Sequence, residues 1–226
     1  MRAESFAFIP LDEVALTTAS PWGIPIQVLS ETTSSNDVLL RMAEEKAPTG
    51  TLLFAECQTA GRGQFSRSWS SPPGLGLWFS LLLRLPIDDD TIPLLSAFAA
   101  VALVETIRGL GIPGCGIKSP NDVLINGQKV AGILVETRIG RDPFAVVGIG
   151  LNVNHSREDF PEELRDRACS VAMANSNGKD KREPIDRNKL AAILLRHLEE
   201  QDRLISTDPG LLLSTWNEML VHDTTP

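Results

Sequence analysis

The sequence predicts an α+β fold: a mixed, largely antiparallel sheet with its helices grouped on one face. Three observations carry that expectation. Three apolar runs rich in Val, Ile and Leu follow one another between residues 122 and 154, with the pair Asn126-Gly127 between the first two. Asn-Gly between apolar runs is the signature of a two-residue hairpin, so these strands pair in sequence order rather than through βαβ crossovers. Two long segments, 88–111 and 186–205, have helical length and lack a strand-like alternation.

Taken in order, residues 1–25 are interrupted by Pro10, Pro21 and Pro25, which argues against a regular element. "IQVLSETTSSND" reads as a strand, a turn and a helix start, with Ser34 and Asp37 spaced as a capping box for the helix "NDVLLRMAEEKA". "GTLLFAEC" and "GLWFSLLLRL" are buried-type strands on either side of a loop rich in Gly, Arg and Ser. The helix at 88–111 begins with three aspartates and Pro93, stops at Gly109 and Gly111, and is apolar nearly all round, so it is expected to be buried. "GIPGCGI" reads as a glycine-rich turn leading to Lys118. After the strands "DVLI", "QKVAGILVETRI" and "FAVVGIGLNVN" come a polar loop, "ANSNGKDKREP", the helix at 186–205, and a last helical segment, "PGLLLSTWNEML".

Composition narrows the function. Apolar residues make up 42% and charged residues 22% of 226, an ordinary globular balance. The net charge of −8 gives no bulk attraction to nucleic acid, so an anionic ligand must be held by local cations. Cys57, Cys115 and Cys169 are scattered and odd in number, which points to reduced thiols and a cytoplasmic setting rather than a disulfide framework. His155, His197 and His222 lack metal-ligand spacing, so no protein-held metal is expected. No apolar run reaches membrane-spanning length without interruption, and no membrane role is expected.

Two stretches hold the candidate chemistry. In "QTAGRGQFSRSWSSPPG", Gly61 and Gly63 flank Arg62 and let the backbone approach a ligand closely, Arg62 and Arg67 offer forked donors for carboxylate or phosphate, and Trp69 offers a flat face for a base. The same residue types also fit a solvated surface loop, and the spacing is not that of a Walker A loop. In "KSPNDV", Lys118 precedes Pro120, and Asn121 and Asp122 are placed either to orient it or hold a metal-bound water, or to cap the following turn. Asn152 and Asn154 close the last strand, facing a cleft or ending a turn.

The order of these features decides between the readings. "GRGQFSRSWSSP", "KSPNDV", "AGILVE" and "GIGLNVN" occur in that sequence, and the chain thereby resembles the biotin protein ligase family, whose catalytic domain carries GRGR-x-GR-x-W-x-SP, KWPNDV, AGILVE and G-I-G-x-N-V-N in the same order. The resemblance implies a class II aminoacyl-tRNA synthetase/biotin ligase-like fold over residues 1–226 as a single catalytic domain. It implies no N-terminal DNA-binding domain, no DNA partner, and a C-terminal SH3-like domain that is absent or truncated. The implied activity is ATP-dependent formation of biotinyl-5′-AMP, with Mg²⁺ on the ATP, followed by transfer of biotin to a lysine of a biotin carboxyl carrier protein or domain, by a monomer or homodimer.

The chemistry has a physical demand. A carboxylate brought to about 4 Å from a phosphate at an effective dielectric near 20 costs on the order of 4 kcal/mol per pair of unit charges. The resemblance implies that Lys118 and Arg62 are the catalytic cations. It implies that Ser34, Ser35, Asn36, Gln58, Gly61, Arg62, Gly63, Gln64, Lys118 and Gly132 bind biotin. Arg62, Arg67, Trp69, Lys118, Asn121 and Asn152 are implied to bind ATP. Three positions depart from the family pattern: Gln64 stands for the second loop arginine, Ser66 for a glycine, and Ser119 for the tryptophan of KWPND. These departures motivate an alternative reading as a non-catalytic biotin- or biotinyl-AMP-binding protein. A lipoate or octanoate ligase or transferase shares the fold, but calls for an RR-x-SGGG-type loop that is not seen.

Overall fold

A computed structural model describes residues 9–175 and 184–221. Of the expected polar loop, residues 176–183 lie outside the described residues, as does His222. Among the described residues a single sheet has seven strands: β1 (Gln27–Leu29), β2 (Leu52–Ala55), β3 (Gly76–Leu83), β4 (Cys115–Lys118), β5 (Asp122–Ile125), β6 (Gln128–Arg138) and β7 (Phe144–Asn152). Their order is β1-β2-β3-β7-β6-β5-β4. Only β1 and β2 pair in parallel; all other neighbours are antiparallel. The helices are α1 (Glu13–Ala19), α2 (Ser35–Glu44), α3 (Thr91–Gly109), α4 (Val171–Asn175), α5 (Arg187–Thr207) and α6 (Pro209–Glu218).

The hairpin between β5 and β6 forms at Asn126 and Gly127, with φ of 50° and 82° and Ile125 paired to Gln128. Two consecutive left-handed residues match the right-handed strand twist, which is why this dipeptide was readable. Strand alternation then divides the sheet into two faces. Phe54, Phe79, Leu81, Ile133, Val147 and Ile149 point to the face covered by α3 and α5, forming the main core; the rings of Phe54 and Phe79 stack 4.6 Å apart. At 19 residues α3 is long and apolar enough to cross a membrane, but most of it is buried in the fold, with α5, α6 and the sheet around it.

The grouping of helices on one face holds for α3, α5 and α6, whereas α2 lies on the other. Its apolar stripe, Leu39, Leu40 and Ala43, packs against Leu53, Leu82, Phe144 and Val146. An amphipathic helix needs a second apolar patch to bury its stripe, and these residues supply one. Three elements differ from the sequence expectation. Residues 1–25 do contain a helix, α1, which fits between Pro10 and Pro21 and is N-capped by the Asp12 carboxylate accepting from Val14 N and Ala15 N. β4 lies in the stretch read as a glycine-rich turn. It closes the sheet, and its outer edge is covered by the end of the described chain: Ile117 N donates to Met219 O and Val221 N to Ile117 O, both at 2.8 Å. Gly116 hides the strand in sequence because a side chain there would run into Val221, 2.5 Å from the added Cβ. The short helix α4 has no periodic signal to announce it.

A buried ion pair ties the chain's first described segment to the sheet. The Arg187 guanidinium meets both oxygens of Glu56, at 2.8 and 3.2 Å, and also donates to the carbonyls of Ile9 and Gly76. Glu56 directly follows β2 and Arg187 starts α5, so the pair anchors the chain immediately before the loop at 58–71. Beyond the end of β7, His155 is buried, stacked on Phe160 at 4.8 Å and edge-on to Trp78 at 5.8 Å. Burial pushes its pKa down from 6.5 to about 4, against a smaller opposing pull from Asp159. The unfolded chain therefore binds the proton more tightly than the folded one. Stability should be full above the unfolded value and decline as pH falls from 6.5 toward 4, by about 3 kcal/mol for this group. Urea unfolding across that pH range checks this: His155→Phe should flatten the slope, and an unchanged slope would show that other groups set it.

Candidate active site

The face of the sheet opposite α3 is bare at its centre. Strand register sets Trp78, Gly150, Gly132, Asp122 and Lys118 side by side in one row across β3, β7, β6, β5 and β4. The neighbouring row is Ser80, Gly148 and Leu134. Three glycines and a serine thus leave the middle of this face low, between Trp78 and Leu134. The space over it is tightly used. A Cβ on Gly148 would lie 2.2 Å from Asn36 Oδ1, one on Gly150 2.5 Å from Trp69 Nε1, and one on Gly132 3.0 Å from Trp69 Cζ3.

One wall is the N-terminus of α2. Ser80, fully buried, has its hydroxyl 2.7 Å from Ser35 Oγ and 2.5 Å from Asn36 Oδ1. The Gln58 carbonyl accepts from Ser35 N at 2.8 Å and Ser35 Oγ at 3.1 Å, and its amide donates to Ser71 Oγ at 2.9 Å. These bonds fix the orientation of each amide, as buried polar groups require. The expected capping box does not form: Ser34 makes no side-chain cap, and the Asp37 carboxylate instead takes Arg62. Arg62 also forks onto Glu136, at 3.2 and 2.9 Å.

The opposite wall is the loop at 58–71. It folds back on itself through Trp69 N to Gly61 O at 2.8 Å and Gly63 N to Arg67 O at 2.7 Å, with a 3₁₀ turn at Gln64–Ser66. The close return of Trp69 is why Gly61 is glycine: a Cβ there would be 2.4 Å from Trp69 O. Trp69 lies over Gly132 and Gly150, and its buried indole N–H has no acceptor among the described residues. Lys129 reaches over the Trp69 ring at 5.2 Å and pairs with Asp122 at 2.6 Å.

The cleft therefore gathers Ser34, Ser35, Asn36, Gln58, Arg62, Gly63, Gln64, Trp69, Asn121 and Gly132 from the sequence-derived set. Four others do not line it. Gly61 is buried within the loop's own return, and Arg67 is exposed on that loop. Asn152 is buried and donates to Cys169 O at 3.1 Å. Lys118 is exposed at the end of edge strand β4, two strands from Gly132 and so about 10 Å away across the sheet. The lysine that lines the cleft is Lys129, which the sequence reading passed over. Three residues from Gly132, it would face the other side of a regular strand. A bulge restores it: Val123 pairs with Ala131 but Leu124 with Lys129, leaving Val130 as the extra residue. The available signal was a lysine immediately before the apolar run at residues 130–135. Ser80 and Glu136 were also passed over, as polar residues in apolar strands facing the bare side.

Comparison with known proteins agrees with this architecture. Residues 27–154 match the biotin/lipoate A/B protein ligase family. The biotin–[acetyl-CoA-carboxylase] ligase of Mycobacterium tuberculosis is 36% identical over 200 residues, spanning 84% of this chain and 70% of that protein. The bifunctional ligase/repressor BirA of Bacillus spizizenii is 45% identical over 142 residues, 62% of this chain and 44% of the relative. The biotin protein ligase of Aquifex aeolicus in complex with biotin and ATP superposes with a TM-score of 0.71 at 26% identity, over 87% of this chain and 78% of that one. The fold is shared with that of the Aquifex aeolicus protein. The chain belongs to the biotin/lipoate A/B protein ligase family. It spans about half the length of the Bacillus relatives it matches.

The glycine floor makes a direct test. Gly150→Ala should expel Trp69 from its position, shift tryptophan fluorescence toward that of a solvated indole, and cost about 1–3 kcal/mol of stability by overpacking. Gly109→Ala, in a helix with open space around it, should instead be neutral or stabilising by up to about 1 kcal/mol. Equal unfolding midpoints for the two variants would refute the packing of Trp69 on the floor.

Proposed function

We propose that this chain activates biotin with ATP to biotinyl-5′-AMP and then transfers the biotinyl group to a lysine of a carrier domain in a carboxylase. The observation that carries the reading is the mixed lining of the cleft: the neutral hydrogen-bonding groups of Ser35, Asn36 and Gln58 with Arg62 beside them on Asp37 and Glu136, and Lys129 on Asp122 across a floor of glycines. Ser35, Asn36 and Gln58 suit the urea-like ring of biotin, which needs both donors and acceptors.

In the first step a carboxylate oxygen of biotin forms a bond to the α-phosphorus and pyrophosphate leaves with the electrons of the broken P–O bond. Lys129 and Arg62 offset the repulsion between the two anions as they meet. Their charges are held before the ligand arrives, so little reorganisation accompanies the reaction. Trp69 excludes water from the acyl phosphate and offers its indole N–H to the ligand. Mg²⁺ would enter on the triphosphate, bound by phosphate oxygens and water. In the second step the carrier's lysine amine attacks the acyl carbon and AMP departs. The M. tuberculosis and Aquifex relatives, named for biotin ligation, support this choice over lipoate.

Biotin-dependent ATP–pyrophosphate exchange tests the reading. Exchange with biotin and none with lipoate is expected; biotin binding without exchange would make the chain a binding module instead. Within that assay, Lys129→Met should lower the exchange rate by about 10²–10³, the size typical of removing one charge-stabilising donor. Lys118→Met should lower it by less than about ten-fold, since Lys118 is not among the residues that line the cleft; the reverse ranking would assign the catalytic role to Lys118, as the motif resemblance implies. Gln64 lines the cleft as a neutral amide. Gln64→Arg should slow release of the adenylate about ten-fold, because charge-assisted hydrogen bonds are about twice as strong as neutral ones. An unchanged off-rate would show that the phosphate does not reach this residue.

A further inference from the structure

Glu136 lies at the end of the apolar run "AGILVE", on the same face as Gly132 and Leu134, and only partly accessible. A single oxygen, Oε2, accepts from Arg62 Nη2 at 2.9 Å and from Asn36 Nδ2 at 2.9 Å. The other oxygen takes Arg62 Nη1 at 3.2 Å. Asn36 is fixed at its far end by Ser80, and Arg62 by Asp37. One carboxylate thus joins the polar end of the cleft to the cationic loop over it.

We propose that Glu136 is a positioning residue: it orients Arg62 toward the phosphate of the acyl-adenylate and ties that orientation to Asn36 in the ring pocket. This rests on the ligand class of the preceding section. A guanidinium has five N–H donors. Glu136 and Asp37 occupy three, and leave the Nε–H and one Nη1–H for the ligand. A fork onto one carboxylate sets the plane of the group as well as its place, which a single contact would not do. Loss of the fork frees Arg62 to turn without altering its charge. The ring pocket needs only one acceptor at Asn36, which an amide oxygen can still provide.

The experiment measures equilibrium binding of biotin and of synthetic biotinyl-5′-AMP to the wild type, Glu136→Gln, Arg62→Ala and the double variant. Glu136→Gln should leave biotin affinity within about two-fold and weaken biotinyl-AMP about ten-fold, the loss of one charge-assisted pair. In the Arg62→Ala background the same change should have no further effect, because the two residues act as one unit. Arg62→Lys, a change at a half-exposed side chain that spares the sheet, should reproduce the selective loss, since an ammonium cannot take the fork. Losses that multiply in the double variant overturn the proposal, as does equal weakening of both ligands, which would make Glu136 a support for Asn36 alone. Tighter adenylate binding by Glu136→Gln also overturns it, since the carboxylate would then be competing for Arg62. Wild type that binds both ligands without catalysing exchange defeats the activity reading and leaves this one standing; wild type that binds neither defeats both.

Discussion

Gly132, Gly148 and Gly150 sit side by side on β6 and β7, and the space above them exists because the opposite face of the same strands is packed solid. Ile133, Val147, Ile149 and Leu151 hold the sheet against α3 and α5, so the backbone cannot sag into the vacant side. A flat ligand slot needs both conditions at once: missing side chains on one face and dense packing on the other. The site is therefore built on sheet geometry first, with α2 and the 58–71 loop added as walls. Trp69 and Asn36 enter closely enough that each glycine in the floor has a specific neighbour a methyl group would strike.

Charge is arranged with the same economy. The chain carries a net charge of −8, yet the cleft sets two cations facing its interior. Each is held by carboxylates, Lys129 by Asp122 and Arg62 by Glu136 and Asp37. In an acidic protein this keeps the cations oriented without leaving unscreened positive charge on the surface. The partners also set the direction in which each cation presents its remaining donors.

α2 connects the two halves of the site. Its apolar stripe fixes it on the sheet through Leu53, Leu82, Phe144 and Val146, while its first turn supplies Ser35, Asn36 and Asp37 to three different partners. The packing of the helix and the placement of these side chains at the cleft are thereby mechanically coupled. The Glu56–Arg187 pair does the same for the loop, fixing the end of β2 just before Gln58. Because that pair is buried, removing one partner would leave an uncompensated charge, which makes its position hard to change independently.

Local signals in the sequence determined a good deal. Asn126-Gly127 announced the hairpin because its two left-handed residues are a local requirement of backbone twist. Strands β2, β3, β6 and β7 and helices α3, α5 and α6 were legible from hydrophobic pattern, and the ordered motifs pointed to Arg62, Trp69, Gln58 and the Ser34–Asn36 turn. Other features were decided by contacts distant along the chain. β4 is a strand because Met219 and Val221 cover its edge, and α2 leaves the other helices because a second apolar patch awaits it. The motif resemblance pointed to Lys118, which ends β4 in the same row as Gly132, whereas Lys129 lines the cleft. Strand periodicity puts Lys129 on the wrong face, and the one-residue bulge at Val130 that reverses this exists only where β6 pairs with β5. A sequence records the side chain; which face it takes was settled by the register of its neighbour.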